Sequence, residues 1–206
     1  MKWIVLLILV AGLVVVLRML FNKKKQTATD TPLDLANLGP LDARSGDTVS
    51  IVAMGEKYDD LVFTIDEVSR YEAGRETWKE FGGRYHGARV YLEVWEDDGV
   101  QVALTKADSD VSMAEVGLSE PDLIRLDESG DTSQEFDAIG SRWRFSGSEE
   151  VTYFEDGRGS GEGCYTWSFD EVDGRRTLTI EKWEGEPFEA MVSHMIPPGD
   201  VQVFRG

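Results

Sequence analysis

Two segments with the pattern Glu-x-Trp-Glu hold the residue types and spacing that could do chemistry. They are Glu93–Glu96 and Glu181–Glu184, and their first glutamates lie 88 residues apart. Paired carboxylates serve general acid–base catalysis or bind a cation. Alternate residues of a β-strand share a face, so Glu93 and Trp95 point one way and Glu96 the other. Each segment therefore predicts either a carboxylate site or a strand that packs its tryptophan and leaves its carboxylates in water.

Four tryptophans recur at similar places in the two halves of the sequence. Aromatic side chains contribute large buried areas, so packing in the core is the first interpretation. The second is a groove between the halves, whose rings would hold an extended peptide, or a cationic ligand through cation–π contacts. The candidate binding residues are Trp78, Trp95, Glu96, Trp167, Trp183 and Glu184.

The other reactive residue types form no recognisable catalytic or metal-binding pattern. His86 and His194 lack a second ligand at a metal-binding spacing, and Cys164 has no CxxC partner. The glycine-rich segment Gly157–Gly163 lacks the Lys-Ser/Thr pair that completes a phosphate-binding loop. We therefore expect no catalytic residue, no metal and no cofactor, in a protein that is not an enzyme.

From Ser45 onward the sequence is typical of an all-β domain. Short segments rich in β-branched and aromatic residues alternate polar and apolar positions, as half-buried strands do. Turns are predicted at Glu72–Gly74, Phe81–Gly83 and Asp97–Gly99, and one short helix at Ser109–Gly117. The predicted strands include Val49–Val52, Val62–Ile65, Glu67–Tyr71, Arg89–Trp95 and Val100–Leu104.

The C-terminal part of this domain repeats its N-terminal part. Two copies this short would pack into one core rather than stand as separate domains. We predict two diverged repeats of about five strands, residues 45–127 and 134–206, in one pseudo-twofold barrel or sandwich. The similar segments are Thr77–Phe81 and Thr166–Phe169, Arg89–Glu96 and Thr177–Glu184, and Pro121–Leu126 and Pro198–Phe204.

The N-terminus predicts a membrane anchor. The stretch from Trp3 to Phe21 is apolar apart from Arg18 near its end. A helix over this stretch is about 28 Å long, close to the hydrocarbon core of about 30 Å. Trp3 and Phe21 suit the two interfaces, and the long side chain of Arg18 reaches the headgroups. We predict one transmembrane helix with its basic flank at residues 1–25.

The basic residues after the apolar stretch set the predicted orientation. Lys23, Lys24 and Lys25 make the C-terminal flank the more basic one, and that flank faces the cytoplasm. A cleaved signal peptide is the alternative, but no small-residue cleavage site directly follows the apolar stretch. We expect a single-pass protein of the cell membrane, with a linker at residues 26–44 and its C-terminal domain in the cytoplasm.

The chain beyond Lys25 is strongly acidic. It holds all 39 acidic residues but only 16 of the 21 basic ones, which gives a net charge of −23. Such a charge argues against nucleic acid as a partner and against the domain lying on anionic lipid. Either this surface is simply solvated, or it attracts cations or a basic partner.

Several strand patterns resemble one bacterial family. They are Gly46–Val49, Trp78–Phe81, Tyr165–Trp167, Leu178–Trp183 and Ile196–Val201. In these residues the chain resembles the domain of unknown function 4178 family, over roughly Leu41 to the C-terminus. The resemblance carries no catalytic residues, because the family has no established activity. Its members are often encoded near phage-shock-protein-A-like membrane proteins, small multi-span membrane proteins and spermidine-synthase-like enzymes, which implies a role in a membrane-associated assembly or stress response.

Two functions follow as hypotheses. The first is a non-enzymatic protein-interaction or scaffold module, tethered to the lipid bilayer by its N-terminal helix. Its expected partner is a membrane-remodelling or multi-span membrane protein. The alternative is a small-ligand module that binds or senses a cation, either a polyamine or a divalent metal.

Overall fold

A computed structural model describes residues 38–107 and 109–206. Within them the strand pairings are all antiparallel, so the prediction of an all-β domain is confirmed. The strands are β1 Thr48–Ile51, β2 Leu61–Ala73, β3 Glu76–Tyr85, β4 Ala88–Glu96, β5 Val100–Lys106, β6 Asp110–Val111, β7 Glu135–Ala138, β8 Ser141–Phe154, β9 Glu162–Glu171, β10 Arg176–Trp183, β11 Phe188–Met195 and β12 Val201–Phe204. The α-helices are α1 Met113–Val116 and α2 Glu120–Ser129.

Eight of the strands form a ring. Strands β2 to β5 pair in sequence order and make the N-terminal half of the ring, and β8 to β11 make the C-terminal half. Two seams join the halves: β2 pairs with β8 through residues 70–72 and 152–154, and β5 pairs with β11 through 103–104 and 194–195. Strands β1 and β12 extend the sheet beyond β2, and β7 extends it beyond β8.

Each half of the ring has its own hydrophobic core. Leu92 of β4 and Leu104 of β5 are fully buried in the first core, and Trp143 of β8 and Ile180 of β10 in the second. Burial of one such side chain stabilises the fold by about 1.5–3 kcal/mol. Because alternate residues of a strand face opposite sides, the other face of each strand is left for the interior of the ring.

The glycines at Gly82 and Gly83 were predicted to form a turn, and this prediction is wrong. Both lie within β3, opposite an irregularity in β2 between Ile65 and Glu67. A Cβ atom on Gly83 would lie 2.3 Å from the Phe63 ring, so glycine is needed because the two strands approach closely there. The chain turns instead just after the end of β3, where His86 has a φ of 50°.

The structure also changes the expected helices. The predicted helix at Ser109–Gly117 shrinks to α1, which Ser112 caps. The helix α2 was missed, since its residues Pro121–Leu126 had been matched to Pro198–Phe204 as a repeated strand. That match is wrong: Ser119 forms a capping box with Asp122 and starts a helix.

The predicted anchor and most of the linker lie outside the described residues, with Trp3, Phe21, Lys23, Lys24 and Lys25 among them. Within residues 38–107 and 109–206, no helix is both long and apolar enough to cross a bilayer.

Candidate functional site

The interior of the ring contains a cavity of about 580 Å³ that both halves line. We call it the inner cavity. Its wall holds eight carboxylates but only two basic side chains, Arg89 and Lys106. Both are engaged, since Arg89 pairs with Asp66 at 2.6 Å and with Glu67, and Lys106 donates to the carbonyl of Met54 at 2.8 Å. The inner cavity is therefore strongly negative.

Three glutamates converge on the inner cavity from both halves. Glu80 of β3 lies opposite Glu93 of β4 in the N-terminal half, and Glu181 comes from β10 in the C-terminal half. Successive residues of a strand face opposite sides. Because Leu92 and Ile180 are buried in the two cores, the adjacent Glu93 and Glu181 face the interior of the ring.

These carboxylates bind protons more tightly than free glutamates do. Burial, with the charges of Glu93 and Glu181, raises the pKa of Glu80 to about 8, and burial with the charge of Glu181 raises the pKa of Glu93 to about 7. Burial also raises the pKa of Glu181, although Trp183 Nε1 donates to its Oε2 at 3.0 Å. Each side chain is half-buried, since it is open to the cavity and enclosed by protein elsewhere. At neutral pH the carboxyl groups of Glu80 and Glu93 are therefore partly protonated.

A row of four aromatic rings runs beside these carboxylates. Trp78 stacks on Tyr71 with centroids 5.3 Å apart, and Tyr71 lies 5.0 Å from Tyr153 across the β2–β8 seam. Trp183 packs edge-on against Tyr153 at 5.7 Å. All four line the inner cavity. Aromatic faces beside carboxylates attract cations both electrostatically and through cation–π contacts.

A second cavity of about 640 Å³ adjoins the first. The two share Trp78, Glu93, Glu149, Ser168 and Thr179 in their walls, so they lie side by side in the interior of the ring. We call this second space the adjoining cavity.

The predicted tryptophans separate into three environments. Trp78 and Trp183 line the inner cavity, and Trp95 lines the adjoining cavity. Trp167 is instead buried in the second core, where its Nε1 donates to the carbonyl of Leu123 at 3.2 Å. The structure therefore places three of the four rings on the interior and one in the core.

The predicted match between Trp78 and Trp167 is wrong. Trp167 pairs in register with Ile180, as Phe81 pairs with Leu92. Trp167 therefore corresponds to Phe81, and both are buried in cores. The misalignment arose because both segments begin with Thr-Trp, although they sit at different distances from the next strand.

Of the two carboxylates in each Glu-x-Trp-Glu segment, only the first faces the inner cavity. Glu96 lies at the end of β4 on the adjoining cavity, and Glu184 is exposed beyond β10 and lines neither cavity. Glu93 and Glu181, the first glutamates of the two segments, face the inner cavity instead. Glu80 was missed, although its period-two spacing from Trp78 was a usable signal.

Two other reactive side chains, Cys164 and His86, lie in different surroundings. Cys164 lines the inner cavity, but burial and the charge of Glu181 raise the pKa of its thiol to about 12, so it stays protonated. His86 is exposed and lies 3.6 Å from Glu56. No group of three or more His, Cys, Asp or Glu among the described residues is arranged to hold a metal ion.

The family model for domain of unknown function 4178 (DUF4178) matches residues 46–198. The chain belongs to this family. The predicted resemblance is thus confirmed, and the match covers the eight strands of the ring and both cavities. No curated protein and no solved structure matches the chain. The family's description names no activity, so its function must be argued from the site.

Proposed function

We propose that this protein binds an organic cation, a linear amine, in the inner cavity. The observation that carries the proposal is the convergence of three carboxylates from both halves on a row of four aromatic rings. The volume of about 580 Å³ lies within the range of about 300–1,000 Å³ typical of ligand sites. Ammonium groups would pair with the carboxylates, and the methylene groups between them would pack on the rings.

An amine suits this cavity better than a divalent metal does. Metal ions need several oxygen ligands at close, fixed positions. The described residues offer no such group of ligands. A flexible amine can instead reach carboxylates that stand apart.

Calorimetry with spermidine as the probe tests the proposal. We expect one spermidine to bind per chain, and expect Mg²⁺ and Ca²⁺ to bind far more weakly. Replacing Glu181 with glutamine removes one charged acceptor and should weaken spermidine binding about 10- to 100-fold. Glu150→Gln is the matched control, because Glu150 is exposed on β8 and lines neither cavity. Absent binding, or equal weakening in both variants, would contradict the proposal.

The affinity for spermidine should rise with pH between about 6 and 8. A cation binds the ionised carboxylates, whereas burial holds the pKa of Glu93 at about 7 and that of Glu80 at about 8. The two primary amines of spermidine stay protonated over this range, so the ligand keeps at least two positive charges throughout. Binding should also release protons, which calorimetry in buffers of different ionisation enthalpy measures. An affinity that is flat over this range would show that these carboxylates do not contact the ligand.

We further propose that residues 1–25 anchor the protein in the cell membrane with its domain in the cytoplasm. The apolar stretch and the lysines after it support this topology. Protease added outside intact cells should leave the domain uncut, and cleavage from outside would overturn the topology.

A non-enzymatic interaction role is the second candidate function, and a set of exposed apolar side chains favours it. Val62 of β2 is 48% exposed, Phe204 of β12 is 52% exposed and Tyr58 is 89% exposed. Val62 and Phe204 are exposed on β2 and β12, the two strands that flank β1, where a protein partner would find an apolar contact. Phe204→Glu should abolish co-purification of a partner from membranes while leaving spermidine binding intact.

We also propose that the two halves of the ring are diverged repeats. Both are four-stranded meanders, and each begins with a long strand that has one irregularity, between Ile65 and Glu67 or between Phe145 and Gly147. This similarity supports a pseudo-twofold relation with Tyr71 and Tyr153 opposite one another.

A further inference from the structure

The two seams are much shorter than the pairings within each half. Adjacent strands inside a half share between seven and ten residue pairs. The β2–β8 seam has three pairs and the β5–β11 seam has two, and β6, which follows β5, adds two more pairs with β11. Few backbone hydrogen bonds therefore hold the halves together.

The hydrophobic cores cross the seams at few points. The first core draws on β1 to β5 and β12, and it also includes Ile196, which directly follows β11. The second draws on the two helices and on β8 to β11. Apolar burial therefore stabilises each half separately, and the separation of the halves would expose little of either core.

The side-chain contacts across the seams are few, and they are polar or aromatic. Thr105 and Ser193 hydroxyls lie 2.7 Å apart at one seam. At the other, Ser69 and Tyr153 hydroxyls lie 3.0 Å apart, and Tyr153 packs against Tyr71. These contacts align the halves, but each such hydrogen bond contributes little net stability.

Like charges oppose one another across the interior. Glu80 and Glu93 belong to the N-terminal half and Glu181 to the C-terminal half, and all three face the inner cavity. When they are ionised, the repulsion between Glu93 and Glu181 acts directly across the two halves. A cation between these carboxylates would turn that repulsion into attraction.

We propose that an oligoamine bound between Glu93 and Glu181 acts as a clasp that holds the two seams closed. This inference rests on the proposed function, since it concerns the same ligand. A chain with at least two ammonium groups can pair with a carboxylate of each half at once. An amine with a single charge cannot, so it would bind without closing the ring.

Hydrogen exchange of the full chain tests the clasp. Spermidine at about ten times its dissociation constant should slow exchange at the seam residues about tenfold, because only the closed ring binds it. Butylamine at equal saturation should not slow these amides, and the paired residues 164–169 and 177–182 within the C-terminal half should not change with either ligand. Spermidine binding with unchanged seam exchange, or with uniform slowing everywhere, would overturn the clasp and leave the proposed function standing. No binding at all would overturn both.

A variant tests the same idea without any ligand. Glu181→Gln removes the charge that repels Glu93, so its seam amides should exchange more slowly than those of the wild type in mildly alkaline buffer. Glu150→Gln removes an equal charge outside both cavities and should leave seam exchange unchanged. Faster or unchanged seam exchange in Glu181→Gln would show that the carboxylates do not push the halves apart.

Discussion

Replacing Asp47 with alanine is expected to lower the free energy of unfolding by about 3–5 kcal/mol. Asp47 is 1% exposed and precedes β1. Its carboxylate accepts a hydrogen bond from Arg205 Nη1 at 2.6 Å, and others from the backbone N–H groups of Arg44 at 3.1 Å and Gly206 at 3.3 Å. One buried side chain thus ties the start of the sheet to the C-terminus.

The cost arises mainly from what the substitution leaves behind. Arg205 is largely buried, and its Nε already lacks a hydrogen-bond partner among the described residues. Without Asp47 its guanidinium would be a buried, unpaired charge, which is far more costly than the loss of the contact alone.

Urea denaturation followed by tryptophan fluorescence measures this effect. Glu150→Ala is the control, and it should change the free energy of unfolding by less than about 0.5 kcal/mol, as most surface substitutions do. The double variant Asp47→Ala/Arg205→Met should recover part of the loss, because it removes the orphaned charge as well. A loss below about 1 kcal/mol in Asp47→Ala would show that water replaces the ion pair.

Asp47 illustrates what the sequence could not reveal. It belongs to the Gly46–Val49 pattern of the family, yet its partner Arg205 lies 158 residues away. Local patterns gave the strands β4 and β5 and the turn at Asp97–Gly99, because alternation and turn residues are short-range signals. Gly83 was wrongly predicted to lie in a turn, because the reason for a glycine there is the close approach of the Phe63 ring on another strand.

The candidate site could also be predicted only in part from the sequence. The spacing between Glu93 and Glu181 marked them as corresponding residues, but only the ring brings them to one cavity. Glu80 joins them through its register with Glu93, which depends on where β3 begins and ends. Tyr71 and Tyr153 meet at a seam between strands that are far apart in the sequence, so periodicity within one strand could not place them together.

Replacing Glu93 with glutamine is expected to stabilise the protein at pH 8 and to weaken its response to spermidine. Burial raises the pKa of Glu93 in the folded state to about 7, above its ordinary value of 4.5. Between these values the folded state binds more protons than the unfolded state, so stability falls as the pH rises. Glutamine carries no charge and avoids this loss. We expect a gain of about 1–3 kcal/mol at pH 8, less than the full shift implies because the cavity admits water.

The pKa of Glu171 is shifted in the opposite direction, so this residue makes the stability fall at acidic pH. Hydrogen bonds from Arg176 and Ser141 hold the pKa of Glu171 at about 2, so its contribution is complete above about pH 4.5 and is lost as the pH falls towards 2. The wild type should therefore be most stable near pH 5, between the loss at Glu171 and the losses at Glu80 and Glu93.

Unfolding of both proteins in urea at pH 5 and pH 8 tests this profile. The wild type should lose stability between the two, and Glu93→Gln should lose much less, with Glu150→Gln behaving as the wild type. If Glu93→Gln were no more stable than the wild type at pH 8, the charge of Glu93 would not destabilise the ring without ligand.

A protein that keeps carboxylates at a cost in stability has them for a function, since apolar or amide side chains would give a more stable fold there. At pH 8, spermidine should restore this stability to the wild type and should stabilise the glutamine variant much less at the same concentration.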